Sequence, residues 1–411
     1  MYICEHIFVD ILGLSIEITT NLETFVKSDE SKLSYAKSAI GNEFFIKNFG
    51  LLYEKGVLPI EILMEEWENV PYFFATKKGS IPFDILSASF FLLTRYEEYL
   101  YKDTHPDQPF PATESLAYKH HFLEIPIINI WVARLKELLQ EKYPNLSFAP
   151  REKNVISVIE VPKAFKYKHK EFLRAFGRAL IYFFTFQWSQ LRNLISVVLG
   201  KEKDPYDFYE ALLAYFQEKR LHPTFFFLLG DYNYYDQGLS YNNPKYKYLI
   251  KHIADYAIVS VLGSYDAVSE QEQLLRERER MINIINRPVR RFRANNNQLP
   301  LPELYRKLTD SEFEEDYTMG YPSHLGFRSG TCSPYKFYDI RLEVKLPLII
   351  HSYALHWQQI DKQYSQETLY KIEQIKREVE AVGGNFISIF SPEYLSKSPD
   401  RFAIYKTIQE A

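Results

Sequence analysis

From Val155 to its end the chain alternates short apolar runs with helical segments, and that alternation limits what it can fold into. "NVISVIEV", "HPTFFFLLGD", "DYAIVSVLGS", "RPVRRFRAN", "LPLIIHSYAL" and "NFISIF" are strand-like. Between them lie "YDFYEALLAYFQEKR", "SEQEQLLRERERMINIIN" and "SQETLYKIEQIKREVEAVG", which carry helical spacing. Strand–helix alternation of this kind predicts an α/β fold with a parallel sheet or barrel. In barrels of that kind chemistry sits at the C-terminal ends of the strands, so candidate residues are sought there. Ser269 is expected to N-cap the second helix, with acids in its first turn.

Residues 1–150 read as a separate N-terminal α/β domain and 151–411 as the barrel, in line with two domains for 411 residues. "MYICEHIFVDILGLSIEI" lacks a basic leader and is broken by Glu5 and Asp10, which predicts a first strand instead of a signal peptide. "PFDILSASFFLLTRYEEYL" and "IPIINIWVARLKELLQEKY" predict helices. Asp103–Ser115 predicts a loop through its prolines, and "PNLSFAPREKN" predicts the linker.

A formal charge of −4 argues against nucleic acid, whose phosphates require a basic excess. Two cysteines, Cys4 and Cys332, form neither a disulfide framework nor a zinc spacing, which predicts a reducing, cytoplasmic setting. The 32 Tyr and 31 Phe could stack on sugars, although strand packing uses the same residues.

"DYTMGYPSHLGFRSGTCSPYKFYD", Asp316–Asp339, has little periodicity, and long irregular segments in compact domains are usually functional. With "FDILSASFFLLTRYEEY", "FFFLLGDY" and "GGNFISIF" in order along nearly the whole chain, it resembles the polysaccharide deacetylase-like (NodB-like) proteins that carry an extra N-terminal domain. The resemblance implies an irregular seven-stranded (β/α) barrel from about residue 152. It implies removal of N-acetyl groups from glycans by a divalent metal, usually zinc, held by one aspartate and two histidines. A second aspartate would be the base, an arginine would orient it, and a late histidine would be the acid.

Carried onto this sequence, those roles are largely unfilled. Glu160 stands for the base and Pro162 for the metal aspartate, while Leu262 and Asn295 stand for the histidines. Ser391 and Pro392 follow Phe390 where the acid is expected, whereas Arg328 and Asp316 are kept. A metal lowers the pKa of bound water from roughly 15.7 to about 7, so its loss costs roughly 12 kcal/mol in forming hydroxide. General-base catalysis contributes about 10²–10⁴-fold and does not offset that. The pattern is that of a pseudoenzyme with no cofactor, binding a glycan or glycan-synthesis proteins.

Arg328 is expected to brace Glu160 or Asp316, or to anchor an anion with its planar fork. The binding surface is expected from Tyr167, Tyr265, Asn295, Asp316 and Arg328. The alternative reading is a working hydrolase, a de-N-acetylase or esterase, with a non-standard site of Glu160, Arg328 and His351. His351 and His356 lie at or just beyond a strand end facing the pocket, and His351 takes the relocated metal or acid role in that alternative. A further alternative is a membrane-associated interaction protein. The helical insertion near 170–200 places Phe172, Leu173, Phe176, Leu180, Phe183 and Phe184 at helical spacing, with Arg174, Arg178 and Arg192 on its polar side. Residues 171–199 could lie on an anionic membrane periphery, a partner, or the barrel itself.

Overall fold

The computed structural model describes residues 1–101, 109–169, 172–362 and 365–410. The expected loop from Asp103 falls outside the described residues as far as Gln108, as do the side chains of Phe172, Leu173 and Arg174.

The N-terminal region is mainly helical, with two small sheets. β1 (Leu33–Ala36) and β2 (Phe44–Lys47) pair in parallel, and β3 (Glu65–Trp67) and β4 (Val70–Tyr72) pair antiparallel. Its main helices are Ile85–Leu93, Tyr96–Leu100 and Ile127–Lys142. The expected first strand is instead helical: Tyr2–Cys4 continues into the wider π-turns of Glu5–Ile11. Ile3, Ile7 and Ile11, and equally Phe8 and Leu12, recur every four residues and are buried together, which is a helical period and not an alternating one.

The rest of the chain builds one nine-stranded sheet. Its strands are β5 (Asn154–Val161), β6 (Thr224–Leu228), β7 (Ile258–Gly263), β8 (Arg291–Ala294), β9 (Glu315–Asp316), β10 (Tyr335–Asp339), β11 (Val344–Ile350), β12 (Leu355–His356) and β13 (Asn385–Phe390). Their spatial order is β10-β11-β9-β8-β7-β6-β5-β13-β12, and every neighbouring pair is parallel except β10 with β11. The sheet has nine strands where the resemblance implies seven, and these include the antiparallel edge strand β10 and the two-residue β12. Buried on both faces, the central strands read as near-continuous apolar segments.

The sheet has two edges, at β10 and β12, that are not paired with each other. The segment after β11 crosses the remaining gap, with Tyr353 N donating to Met319 O and Ala354 N to Ile387 O, both 3.0 Å. Val158, Phe226, Leu228, Leu262, Tyr317, Tyr353, Ile387 and Ile389 form an apolar cluster of their own, separate from the main core. The main core runs without a break from the N-terminal helices into the barrel helices.

Helix Gln366–Val382 starts where its sequence predicts, with Ser365 Oγ accepting from Thr368 N at 3.1 Å. Ser269 does not cap its helix. Ser264, at the end of β7, captures the free N–H of Ala267 first and starts a short helix, Tyr265–Ser269. Extended Glu270 then interrupts the chain before Gln271–Ile285.

Candidate functional site

Glu160 is the last inward residue of β5, following Ile156 and Val158 at period two. A row of apolar residues that ends in a buried acid demands partners, because an isolated buried charge is costly. Three are supplied from distant parts of the chain. Arg293 Nε, from β8, donates to Oε2 at 3.0 Å, and Trp357 Nε1 donates to Oε1 at 2.8 Å. His356 Nε2 approaches Oε1 at 3.2 Å. His356 Nδ1 accepts from Gln358 N at 3.3 Å, which places the ring proton on Nε2, toward the carboxylate. Burial opposes ionisation of Glu160, but His356 and Arg293 together outweigh it and hold the group well below the usual carboxylate range. Arg293 is fixed in turn by Tyr317 O, 2.8 Å from Nη1, and by the Tyr353 ring, 5.1 Å from its guanidinium carbon.

The residues expected to join Glu160 belong to other clusters. His351 Nε2 lies 3.1 Å from Glu315, and its ring stacks on Tyr317 at 4.4 Å. Glu315 also meets Arg291 at 3.2 Å and accepts from Tyr317 Oη at 2.8 Å. Burial would raise the Glu315 carboxyl, but His351 and Arg291 bring it down to about 2.

Arg328 pairs with neither Glu160 nor Asp316, contrary to expectation. Its Nε and Nη2 fork the Glu98 carboxylate at 2.9 and 2.7 Å. Arg95 donates to the same carboxylate at 2.7 Å and to the backbone oxygen of Arg328. Both arginines are fully buried, at the seam between the N-terminal region and the loop after β9. The same loop is clasped along its length: Ile128 N donates to Gly330 O at 3.0 Å and Thr331 Oγ1 to Asn129 Oδ1 at 2.8 Å. Gly326, at φ +111°, lies so close to Leu123 O that a Cβ would stand 2.0 Å away. Arg328 is therefore shut off from any anion by Glu98 and by burial.

Asp316 is buried and accepts from Tyr305 Oη at 3.0 Å, Thr318 N at 2.9 Å and Thr318 Oγ1 at 2.6 Å, and burial raises its pKa. Tyr167 is also buried, its hydroxyl donating to Gln190 Oε1 at 2.9 Å. Asn295 and Tyr265 are brought together through Asp236, which accepts from Asn295 Nδ2 and from Tyr265 N, both at 2.7 Å. The Tyr265 ring stacks on Tyr235 at 4.1 Å, beside the more exposed Tyr232 and Tyr234. This loop follows β6 at the C-terminal end of the barrel.

Zinc or another divalent ion, which the deacetylase resemblance implies, does not fit these residues. Pro162 has no donor electrons, and Leu262 is part of the interior apolar cluster. Asn295 spends its amide on Asp236, and Ser391 caps a helix by accepting from Tyr394 N at 3.2 Å. Among the described residues no three His, Cys, Asp or Glu side chains are grouped to hold a metal. The sequence reading passed over Arg293 and expected His351 beside Glu160, where His356 stands instead. The signal for Arg293 is present in "RFR", where a period of two turns both arginines to the face opposite Phe292.

Residues 1–144 match a family model described as a family of unknown function, DUF7033. No curated protein matches the chain. Similar solved structures include a candidate polysaccharide deacetylase from Mycobacterium smegmatis, with 14% identity, 64% of this chain and 85% of that one covered, and a TM-score of 0.41. Another is a candidate polysaccharide deacetylase involved in O-antigen biosynthesis from Bordetella bronchiseptica, at 9% identity, covering 63% and 81%, with a TM-score of 0.34. A third is a CE4 family pseudoenzyme from Bacillus anthracis, at 12% identity, covering 64% and 62%, with a TM-score of 0.33.

Proposed function

We propose that this chain is a polysaccharide deacetylase-like protein of cell-surface glycan metabolism that binds glycan without hydrolysing it. The observation that carries this reading is the state of Glu160. A general base works best with a pKa near the operating pH and a lone pair aimed at its water. Glu160 has the reverse: Arg293, Trp357 and His356 occupy its oxygens, and its proton affinity is driven down. The alternative hydrolase needs Glu160, Arg328 and His351 to act together, and each has a different set of partners. Of the residues expected to bind sugar, Tyr265 is the half-buried one and supports that part, with Tyr235 extending the aromatic surface, while Asn295 is buried and holds Asp236 behind it. Tyr167, Asp316 and Arg328 give it up to burial.

The test is zinc loading followed by elemental analysis, together with acetate release from, and binding to, N-acetylated oligosaccharides. The expected result is no stoichiometric zinc, no acetate, and saccharide binding that weakens in Tyr265→Ala. Stoichiometric zinc and acetate release, both abolished in Glu160→Gln, would overturn the reading.

A further inference from the structure

Just past β5 the chain leaves the barrel as two packed helices, Phe172–Phe184 and Trp188–Val198, joined by a tight turn. Its root is rigidly held. Asp204 accepts backbone N–H bonds from Lys166, Tyr167 and Lys168 at 2.8, 2.7 and 2.8 Å, and His169 O accepts from Asn243 Nδ2 at 2.8 Å. Tyr167, Leu194 and Val197 form a small buried cluster on the inner side. The outer side and the turn are apolar and exposed: Ile181 61%, Phe184 72%, Phe186 76%, Trp188 53% and Leu199 63%. Around the turn the rings of Phe183, Phe184, Phe186 and Trp188 meet at 5.3–6.3 Å, and contiguous exposed apolar surface of this kind marks an interaction site.

Charge selects the partner. Between Lys163 and Lys203 there are nine Lys and Arg against two Glu, in a chain where acids outnumber bases 53 to 49. Arg178 and Arg192 stand eight and six residues from Phe186, about 9–12 Å behind the tip at about 1.5 Å per residue. That separation matches the depth of about 5–10 Å to which interfacial helices bury their apolar faces below the headgroups. Aromatic rings at the tip with cations behind them suit the boundary between acyl chains and anionic headgroups. No described helix is long and apolar enough to cross a membrane.

We infer that this hairpin docks the protein on an anionic lipid bilayer, with Phe184, Phe186 and Trp188 entering the interface and Arg178 and Arg192 meeting lipid phosphates. This inference goes beyond glycan binding and does not depend on it. The test is co-sedimentation of the full chain with phosphatidylglycerol vesicles and with phosphatidylcholine vesicles. The chain is expected to pellet with the former only, and less at raised salt. Phe184→Ser, Phe186→Ser and Trp188→Ser combined should weaken partitioning by about tenfold or more. Arg178→Gln and Arg192→Gln should each weaken it about fivefold, from about 1 kcal/mol per cation. Brominated acyl chains should quench the unmodified protein, since Trp188 is the exposed member of its four tryptophans. This readout holds even if the variants do not fold. Absence of both pelleting and quenching with anionic vesicles would overturn the inference. So would a self-association that the triple variant abolishes without any vesicle binding, because the face would then belong to a second copy of the chain.

Discussion

Two buried carboxylates, Glu98 and Glu160, each meet arginine, yet they sit in different kinds of place. Glu98 is gripped by Arg95 and Arg328 where the N-terminal region meets the barrel, 230 residues apart in sequence from the latter. Glu160 is gripped by Arg293, His356 and Trp357 at the C-terminal end of β5 in the large sheet. Burial opposes the charge of Glu98, and Arg328 and Arg95 pull its pKa below the ordinary value. Arginine pairing therefore does not by itself identify a site. Arg328 ties the two regions together, while Arg293 neutralises a buried acid within the large sheet.

Removing the shared acid of the seam gives the largest expected effect. Glu98→Ala strands the buried Arg328 guanidinium, while Arg95 keeps Glu97 at 2.7 Å, and breaking a buried pair on one side costs about 3–5 kcal/mol. Urea unfolding should show this loss, with earlier proteolysis of the N-terminal region. A loss under about 1 kcal/mol would make the seam wet and the comparison false.

A third buried acid, Glu277, sharpens the contrast because no arginine reaches it. It accepts from Gln273 Nε2 at 2.9 Å, from Ser264 N at 3.1 Å, and from the Ser264 hydroxyl. Burial therefore wins, and its pKa rises from 4.5 to about 7. Below the ordinary value both folded and unfolded chains hold the proton, whereas between the two values only the folded chain does. Stability should thus fall as pH rises through that window, by up to roughly 3 kcal/mol. Melting curves of Glu277→Gln should lose this dependence. An unchanged dependence would place it on another group.

Glu160→Gln comes next, at about 1.5–3 kcal/mol from weakened bonds to charged donors. Its sign with pH is opposite to that of Glu277. The depressed pKa stabilises the fold above the ordinary carboxylate range, and that contribution is lost as pH falls, so the variant should flatten the acid limb. Unlike Glu98→Ala, it should leave the N-terminal region protected from protease. Smallest is Tyr235→Ala, which removes a stacked pair with Tyr265 worth about 0.5–1.5 kcal/mol. Its mark should be weaker saccharide binding at nearly unchanged melting temperature.

Much of the parallel sheet was legible in the sequence because its strands are locally explicit. "NVISVIEV" forms β5 without a shifted residue, and "SQETLYKIEQIKREVEAVG" carries its own cap and its terminal glycine. The N-terminus misled because its charges hid a four-residue apolar period. Glu160 could be found from its place at a strand end. The partners of Arg328 could not, since nothing local to "GFRSGT" announces Glu98 in a helix from the other region. His356 lay within five residues of His351, and choosing between them required knowing that the chain crosses the barrel gap after Ile350.

The strand order also bears on synthesis. β5, the earliest strand of the large sheet to be made, lies between β6 and β13, and its longer register is with β13, from Asn154↔Asn385 to Ile159↔Phe390. A ribosome must therefore extend the chain through β13, more than 200 residues beyond β5, before β5 can be covered on that edge. Until then an unpaired apolar strand is open to mispairing. Nascent chains that stop short of Phe390 should be clients of chaperones, and should yield aggregate in place of a shortened sheet.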